Sequence, residues 1–240
     1  MKEEKPMSTT NTPDTLCHLP DRAQRLTLAH LLNYVPRSAA RLLDCTGEWG
    51  GRGHQLKAHG AHEVVALVDS TAGAPGPDEG YDHCTQGPLD FVNLPPALPP
   101  LDCIVCTGAL ERLRNPEMFL PNLLNLLVPG GLFLAVVPNM QYHKIVCALA
   151  EGNWTYGESG VWDRKNLRFY TAHELRWLMN RAGVAHCKLA SLVADDPSAF
   201  PRDCRGIARA GRLRIGPIDD GSYPAWLTEY YLLLAVKPNA

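Results

Sequence analysis

Residues 41–60, RLLDCTGEWGGRGHQLKAHG, decide the fold. The apolar pair Leu42-Leu43 ends on Asp44, a glycine-interrupted turn follows, and Arg52–His59 has the composition of a helix. A second apolar run, Val64–Val68, comes one crossover later and ends on Asp69. Strand, tight turn, helix and second strand make a βαβ unit, whose turn lies at the carboxyl ends of parallel strands where open α/β sheets bind ligands. An acidic side chain closing the second strand can accept hydrogen bonds from both ribose hydroxyls of a nucleoside, and Asp69 stands there. The glycines are irregular. In a D-x-G-x-G-x-G turn counted from Asp44, Thr46 and Glu48 take the first two glycine positions and only Gly50 the third, while Gly47, Gly51 and Gly53 are out of step. Glu48 sets a charged side chain where a ligand is expected.

The 240 residues suit one α/β domain. Residues 1–20 are expected to be a disordered polar tail and 21–240 a single domain, with 151–170 as a lid-like segment and 195–228 as an insertion. Lys and Arg total 23 against 25 Asp and Glu, a net charge of −2, so bulk electrostatics calls for neither nucleic acid nor an anionic membrane. No charged-then-apolar leader opens the chain and no apolar run is long enough to cross a bilayer, so a cytoplasmic location is expected.

Eight cysteines include the CxxC pair Cys103 and Cys106. They fall in the apolar run Leu101–Thr107, a strand, where residues three apart point to opposite faces and cannot share a metal. No metal site is expected, and buried free thiols are the reading.

The remaining elements follow from periodicity and caps. Asp21–Val35 is a helix ended by Pro36, and the Gly- and Pro-rich run after Asp69 forbids a regular crossover helix. A short strand is expected near His83–Gln86, and Leu94–Pro100 is an extended connector. Asn115 caps a helix to Leu127 that Pro129-Gly130-Gly131 stops, and Leu132–Val137 is an apolar strand. Tyr142–Leu149 is a further helix, Thr171 caps another over Ala172–Arg181, and strands lie near His186–Val193 and Glu229–Val236. The arginines between these last strands (Arg202, Arg205, Arg209, Arg212 and Arg214), offset by nearby aspartates, read as a solvated loop. The architecture expected is a Rossmann-like, doubly wound, mostly parallel seven-stranded sheet with an antiparallel last strand.

Residues 101–139, LDCIVCTGALERLRNPEMFLPNLLNLLVPGGLFLAVVPN, resemble the fourth strand, following helix and fifth strand of class I S-adenosylmethionine-dependent methyltransferases. Residues 151–184, EGNWTYGESGVWDRKNLRFYTAHELRWLMNRAGV, are similar to a branch of that family found near glycosyltransferases. The resemblance covers about Arg41–Pro238. It implies S-adenosylmethionine as cofactor, with Asp44, Thr46, Gly47 and Gly50 at its methionine end, Asp69 on the ribose and Thr107 bordering methyl transfer. Four positions depart from the family pattern: Glu48, Pro88 (where the adenine contact is either lost or moved to Asp90), Arg112 and Asn166.

Methyl transfer from a sulfonium is an in-line displacement in which alignment matters most, and a hydroxyl or amine acceptor also needs a base. His143 and Asp163 are the catalytic candidates. Tyr142, Trp154, Tyr156 and Arg168 are the substrate-binding candidates, since aromatic faces among charged groups suit a sugar or a secondary-metabolite precursor. The functional expectation is methyl transfer to a small oxygen or nitrogen nucleophile. The alternative is a non-catalytic domain of this fold serving a protein partner in binding or assembly. A nicotinamide oxidoreductase fits less well, because the glycine spacing fails its fingerprint and a pyrophosphate would face Glu48.

Overall fold

The structure is a computed structural model that describes residues 31–46, 52–69, 80–91, 98–158, 160–184 and 186–239. Strands β1 (Arg41–Thr46) and β2 (Glu63–Asp69) are buried along nearly their whole length, which is why they read as unbroken apolar runs and do not alternate. Helix α1 (Gly53–His59) connects them and buries Gly53 and Leu56. Gly60 ends it at φ 134°, and a Cβ there would lie 2.7 Å from the carbonyl oxygen of Arg37.

With β3 (His83–Gly87), β4 (Leu101–Thr107), β5 (Leu127–Pro138), β6 (Cys187–Ala194) and β9 (Thr228–Val236), these strands form a seven-stranded sheet of order β3-β2-β1-β4-β5-β9-β6. The first five are parallel, and β9 runs antiparallel between β5 and β6. The winding reverses at β1, which pairs with β2 on one side and β4 on the other. The carboxyl ends of β1 and β4, where Thr46 stands opposite Thr107, are therefore the switch point of the sheet.

Residues of β4 alternate between two cores. Ile104 and Cys106 pack with Leu120 and Leu123 of α2 (Pro116–Asn125) and Leu175 and Leu178 of α4 (Ala172–Arg181), whereas Cys103 and Val105 pack with Leu31 and Leu56. The CxxC cysteines thus lie on opposite faces, as strand geometry requires, and burial pushes the Cys103 thiol up to about 12.

The end and the cap of α2 differ from expectation, and β5 begins at Leu127, before the Leu132 expected. Helix α2 stops at Asn125, before the Pro-Gly-Gly, because the carbonyl of Leu126 accepts from the Leu101 amide and Leu127 already pairs with Leu101 in the sheet. At its start, Asn115 makes no side-chain cap. The Asp90 carboxylate instead accepts the Arg114 and Asn115 amides at 2.8–3.0 Å. Thr171 caps α4 through the Glu174 amide, and Gly183 follows it at φ 87°. Helix α3 spans His143–Ala150.

The stretch between β6 and β9, read as a solvated loop, is structured. It folds into a hairpin, β7 (Ala208–Ala210) with β8 (Leu213–Ile215), and the short helix α5 (Tyr223–Leu227). Phe200, Ala208, Ala210, Ile218 and Leu227 form its own core against Val146 and Cys147 of α3. The arginines of the hairpin point outward and alanines point inward, so the alternation carries almost no hydropathy signal. The expected tail, most of the first helix, and the run after Asp69 lie outside the described residues. Among those described, no helix is long and apolar enough to cross a membrane.

Candidate functional site

Two residues before the end of β1 the Asp44 carboxylate is fully buried and its two oxygens have different partners. Arg52, the residue before α1, folds back so that Nη2 lies 2.7 Å from Asp44 Oδ1 and 2.6 Å from Thr107 Oγ1. The Tyr81 hydroxyl donates to Asp44 Oδ2 at 2.6 Å and accepts the Arg52 amide at 3.1 Å. Burial, then the charge of Asp44, pushes the Tyr81 phenol far up, so it remains protonated and the direction of that hydrogen bond is set. Arg52 is 4% exposed. Its Nε–H is buried with no acceptor among the described residues.

Asp69 closes β2 opposite Gly87 and is buried, so the acidic residue expected on the ribose stands at the strand tip. Thr46 is fully buried in register with Thr107. Gly47 and Gly50, with Glu48 between them, lie outside the described residues.

One residue past Thr107 the chain enters a second polar centre. A small cavity of about 30 Å³, close to the volume share of one water molecule, is lined by Gly108, Glu111, Arg112, Asp163, Asn166 and Tyr230 among others. Arg112 Nη2 lies 3.2 Å from Asp163 Oδ2, both side chains are buried, and Asp163 Oδ1 accepts the Lys165 amide at 2.9 Å. The Glu111 carbonyl accepts the Leu167 and Arg168 amides at 2.7 and 2.8 Å, and the Tyr170 hydroxyl donates to the Leu110 carbonyl at 3.1 Å. Asn166 donates to the Gly160 and Val161 carbonyls, each at 3.1 Å. The segment expected to be lid-like is thus pinned by its backbone to the tip of β4.

The other sequence candidates fall into two groups. Trp154 packs against Tyr156, Trp162 and Phe169 with ring centroids 6.5, 5.9 and 5.6 Å away, and Tyr156 is 54% exposed. Arg168, which could have partnered Asp163, instead donates to the carbonyls of Leu113 and Arg114.

Tyr142 and His143 converge elsewhere, on Asp195. The Tyr142 hydroxyl and His143 Nε2 reach one oxygen of that carboxylate, Oδ2, at 2.7 and 2.9 Å, with Lys144 Nζ at 3.1 Å. His143 is 4% exposed and stacks on Phe200 at 4.9 Å, which stacks in turn on Trp226. Burial lowers the His143 pKa against the opposing pull of Asp195, so the neutral ring donates from Nε2 and keeps its lone pair on Nδ1.

Arg52 and Tyr81 escaped the sequence reading. Arg52 follows the glycine run directly, and the burial of an arginine three residues beyond a tryptophan leaves no trace in a periodicity. Among the described residues no cluster of His, Cys, Asp and Glu is arranged to hold a metal.

A profile of the methyltransferase domain family matches residues 15–187. No curated protein matches the chain. Among solved structures, an S-adenosylmethionine-dependent methyltransferase from Mesorhizobium loti superposes with TM-score 0.55 at 19% identity, over 88% of this chain and 98% of that one. A SAM-dependent methyltransferase from Archaeoglobus fulgidus gives 0.56 at 13%, covering 89% and 94%. A chain from a Haloferax volcanii complex containing the Trm112 methyltransferase activator gives 0.52 at 19%, covering 92% of each. At these identities the likeness is one of fold.

Proposed function

The chain belongs to the methyltransferase domain family, and on that premise we propose that it transfers a methyl group from S-adenosylmethionine to a small oxygen or nitrogen nucleophile held beside Gly108. The observation that carries this reading is the adjacency of two polar centres at the switch point. The Asp44–Arg52 network reaches Thr107, and the next residue, Gly108, lines the cavity with Glu111 and Asp163.

The residues at the strand tips fit the cofactor. Asp44, two residues before the end of β1, and Asp69, at the end of the adjacent parallel strand, are buried carboxylates, and Arg52 holds a buried donor with no acceptor among the described residues. When bound, the cofactor supplies an electrophilic methyl on a sulfonium. The protein's part is to hold the ribose through Asp69, orient the methionine end at Asp44, Thr46 and Thr107, and keep the acceptor in line.

On the acceptor side, Asp163 accepts the proton lost by the nucleophile, which neutralises the carboxylate beside the Arg112 guanidinium as the sulfonium gives up its own charge. The aromatic faces of Trp154 and Tyr156 support a polyhydroxylated or aromatic acceptor, with a sugar or secondary-metabolite precursor as the class to screen. Tyr142 and His143, joined through Asp195, are assigned to the seating of the 195–228 segment beside that region.

Calorimetric titration with S-adenosylmethionine and S-adenosylhomocysteine tests the proposal. Binding that is abolished in Asp69→Ala supports it. Heat from neither ligand would turn the reading toward a binding or assembly role. Because the Haloferax volcanii chain occurs with an activator protein, an inert recombinant chain should be retested from its native extract before that conclusion is drawn.

A further inference from the structure

The reading above leaves the buried Arg52 without a stated purpose, and the inference here rests on that reading. The methionine end of the cofactor is a zwitterion, with one ammonium and one carboxylate. Asp44 answers only the ammonium. Burying the carboxylate near a lone aspartate would place two negative charges together in a dry region, which is unfavourable unless a cation stands beside them.

Arg52 is that cation, and three observations fix it to the place. Its guanidinium spans the tips of β1 and β4, at 2.7 Å from Asp44 and 2.6 Å from Thr107. Its backbone amide is tied to Tyr81 at 3.1 Å, so the root of the side chain is held as well. Its Nε–H is buried without an acceptor among the described residues, and a buried charged donor in that state favours an arriving anion. A planar guanidinium offers two parallel N–H groups to a carboxylate, which an ammonium side chain does not.

We propose that Arg52 binds the carboxylate of the methionine end of S-adenosylmethionine while Asp44 receives its ammonium. In the free protein the two side chains satisfy each other, and binding exchanges this one internal pair for two pairs with the ligand. Thr107 keeps the guanidinium oriented during the exchange. The opposite role is also physically coherent: an arginine that already occupies Asp44 would compete with the ammonium and weaken binding.

Calorimetry with S-adenosylmethionine and its decarboxylated form, which differs only in the carboxylate, separates the two. Wild-type protein should prefer the carboxylated ligand by roughly tenfold or more. In Arg52→Gln that preference should collapse, through weaker binding of S-adenosylmethionine with the decarboxylated form little changed. Arg52→Lys keeps the charge beside Asp44 but loses the fork, and should lose part of the preference even if Arg52→Gln does not fold. Equal affinity of the wild type for both ligands, or tighter binding of S-adenosylmethionine by either variant, would overturn the assignment and leave the methyltransferase reading intact. A wild type that binds neither ligand would overturn both.

Discussion

Arg112 and Asp163 form a buried ion pair, Nη2 to Oδ2 at 3.2 Å, that joins the tip of β4 to the segment covering it. Removing one partner of a buried pair leaves the other charge buried without its counter-ion, which typically costs about 3–5 kcal/mol, whereas replacing both with apolar groups of similar volume costs far less. Asp163→Leu should therefore lower the denaturation midpoint more than the double variant Arg112→Met, Asp163→Leu, as measured by urea unfolding. Both should lose methyl transfer. A double variant less stable than the single one would show that the pair is not held for the reason given.

Asp163→Asn separates chemistry from packing. The amide keeps the shape, and its one oxygen can still accept from either Arg112 or the Lys165 amide, but it cannot take a proton. Turnover at saturating acceptor should fall by about two orders of magnitude or more with cofactor affinity unchanged. Turnover within a few-fold of wild type would remove Asp163 as the base.

The His143 pKa is lowered by burial, although Asp195 opposes the shift. The unfolded histidine protonates near its ordinary value of about 6.5 and the folded one only at lower pH, so between those values the unfolded state binds more protons. Stability from this group is therefore intact above about pH 6.5, falls as the pH drops below it, and levels off once the folded ring is also charged. Thermal melts between about pH 7.5 and about pH 5 should decline less steeply for His143→Gln than for wild type. If His143 is instead the base that the sequence suggested, the same variant will also abolish turnover at saturating acceptor.

Asp90 accepts two adjacent backbone amides at the start of α2. Asp90→Ala leaves both without that acceptor and should cost about 1–2 kcal/mol of stability, the usual range for a lost cap. Adenosylhomocysteine affinity should be unaffected, since this carboxylate already serves the helix. A selective loss of adenosyl affinity would restore Asp90 to the adenine contact.

The middle of the sheet was legible because its central strands are buried on both faces, so Leu42–Asp44 and Val64–Asp69 print their identity as apolar runs closed by an acid. The caps of α4 were equally plain, since Thr171, Glu174 and Gly183 act through their immediate neighbours. The end of α2 was not legible. It is set by Leu126 and Leu127 answering Leu101, a contact across 25 positions that no local window contains. The hairpin at Ala208–Ile215 was hidden because alanine is a weak reporter of the inward face. At the site, Asp69 and Thr107 could be placed because they end strands, and Asp44 because it closes the apolar run of β1 two residues before that strand ends. The partner of Asp44 could not, because an arginine reads as surface until the fold turns it inward.

Strand β9 lies inside the sheet, and among the described residues β6 has no other strand beside it. As the chain leaves the ribosome, β5 and β6 must therefore wait with open edges until residues 228–236 have emerged and slid between them. Half-made chains of this protein should be substrates for chaperones that shield strand edges, and shortening the carboxyl-terminal segment should harm folding yield more than loss of an equal length of surface loop.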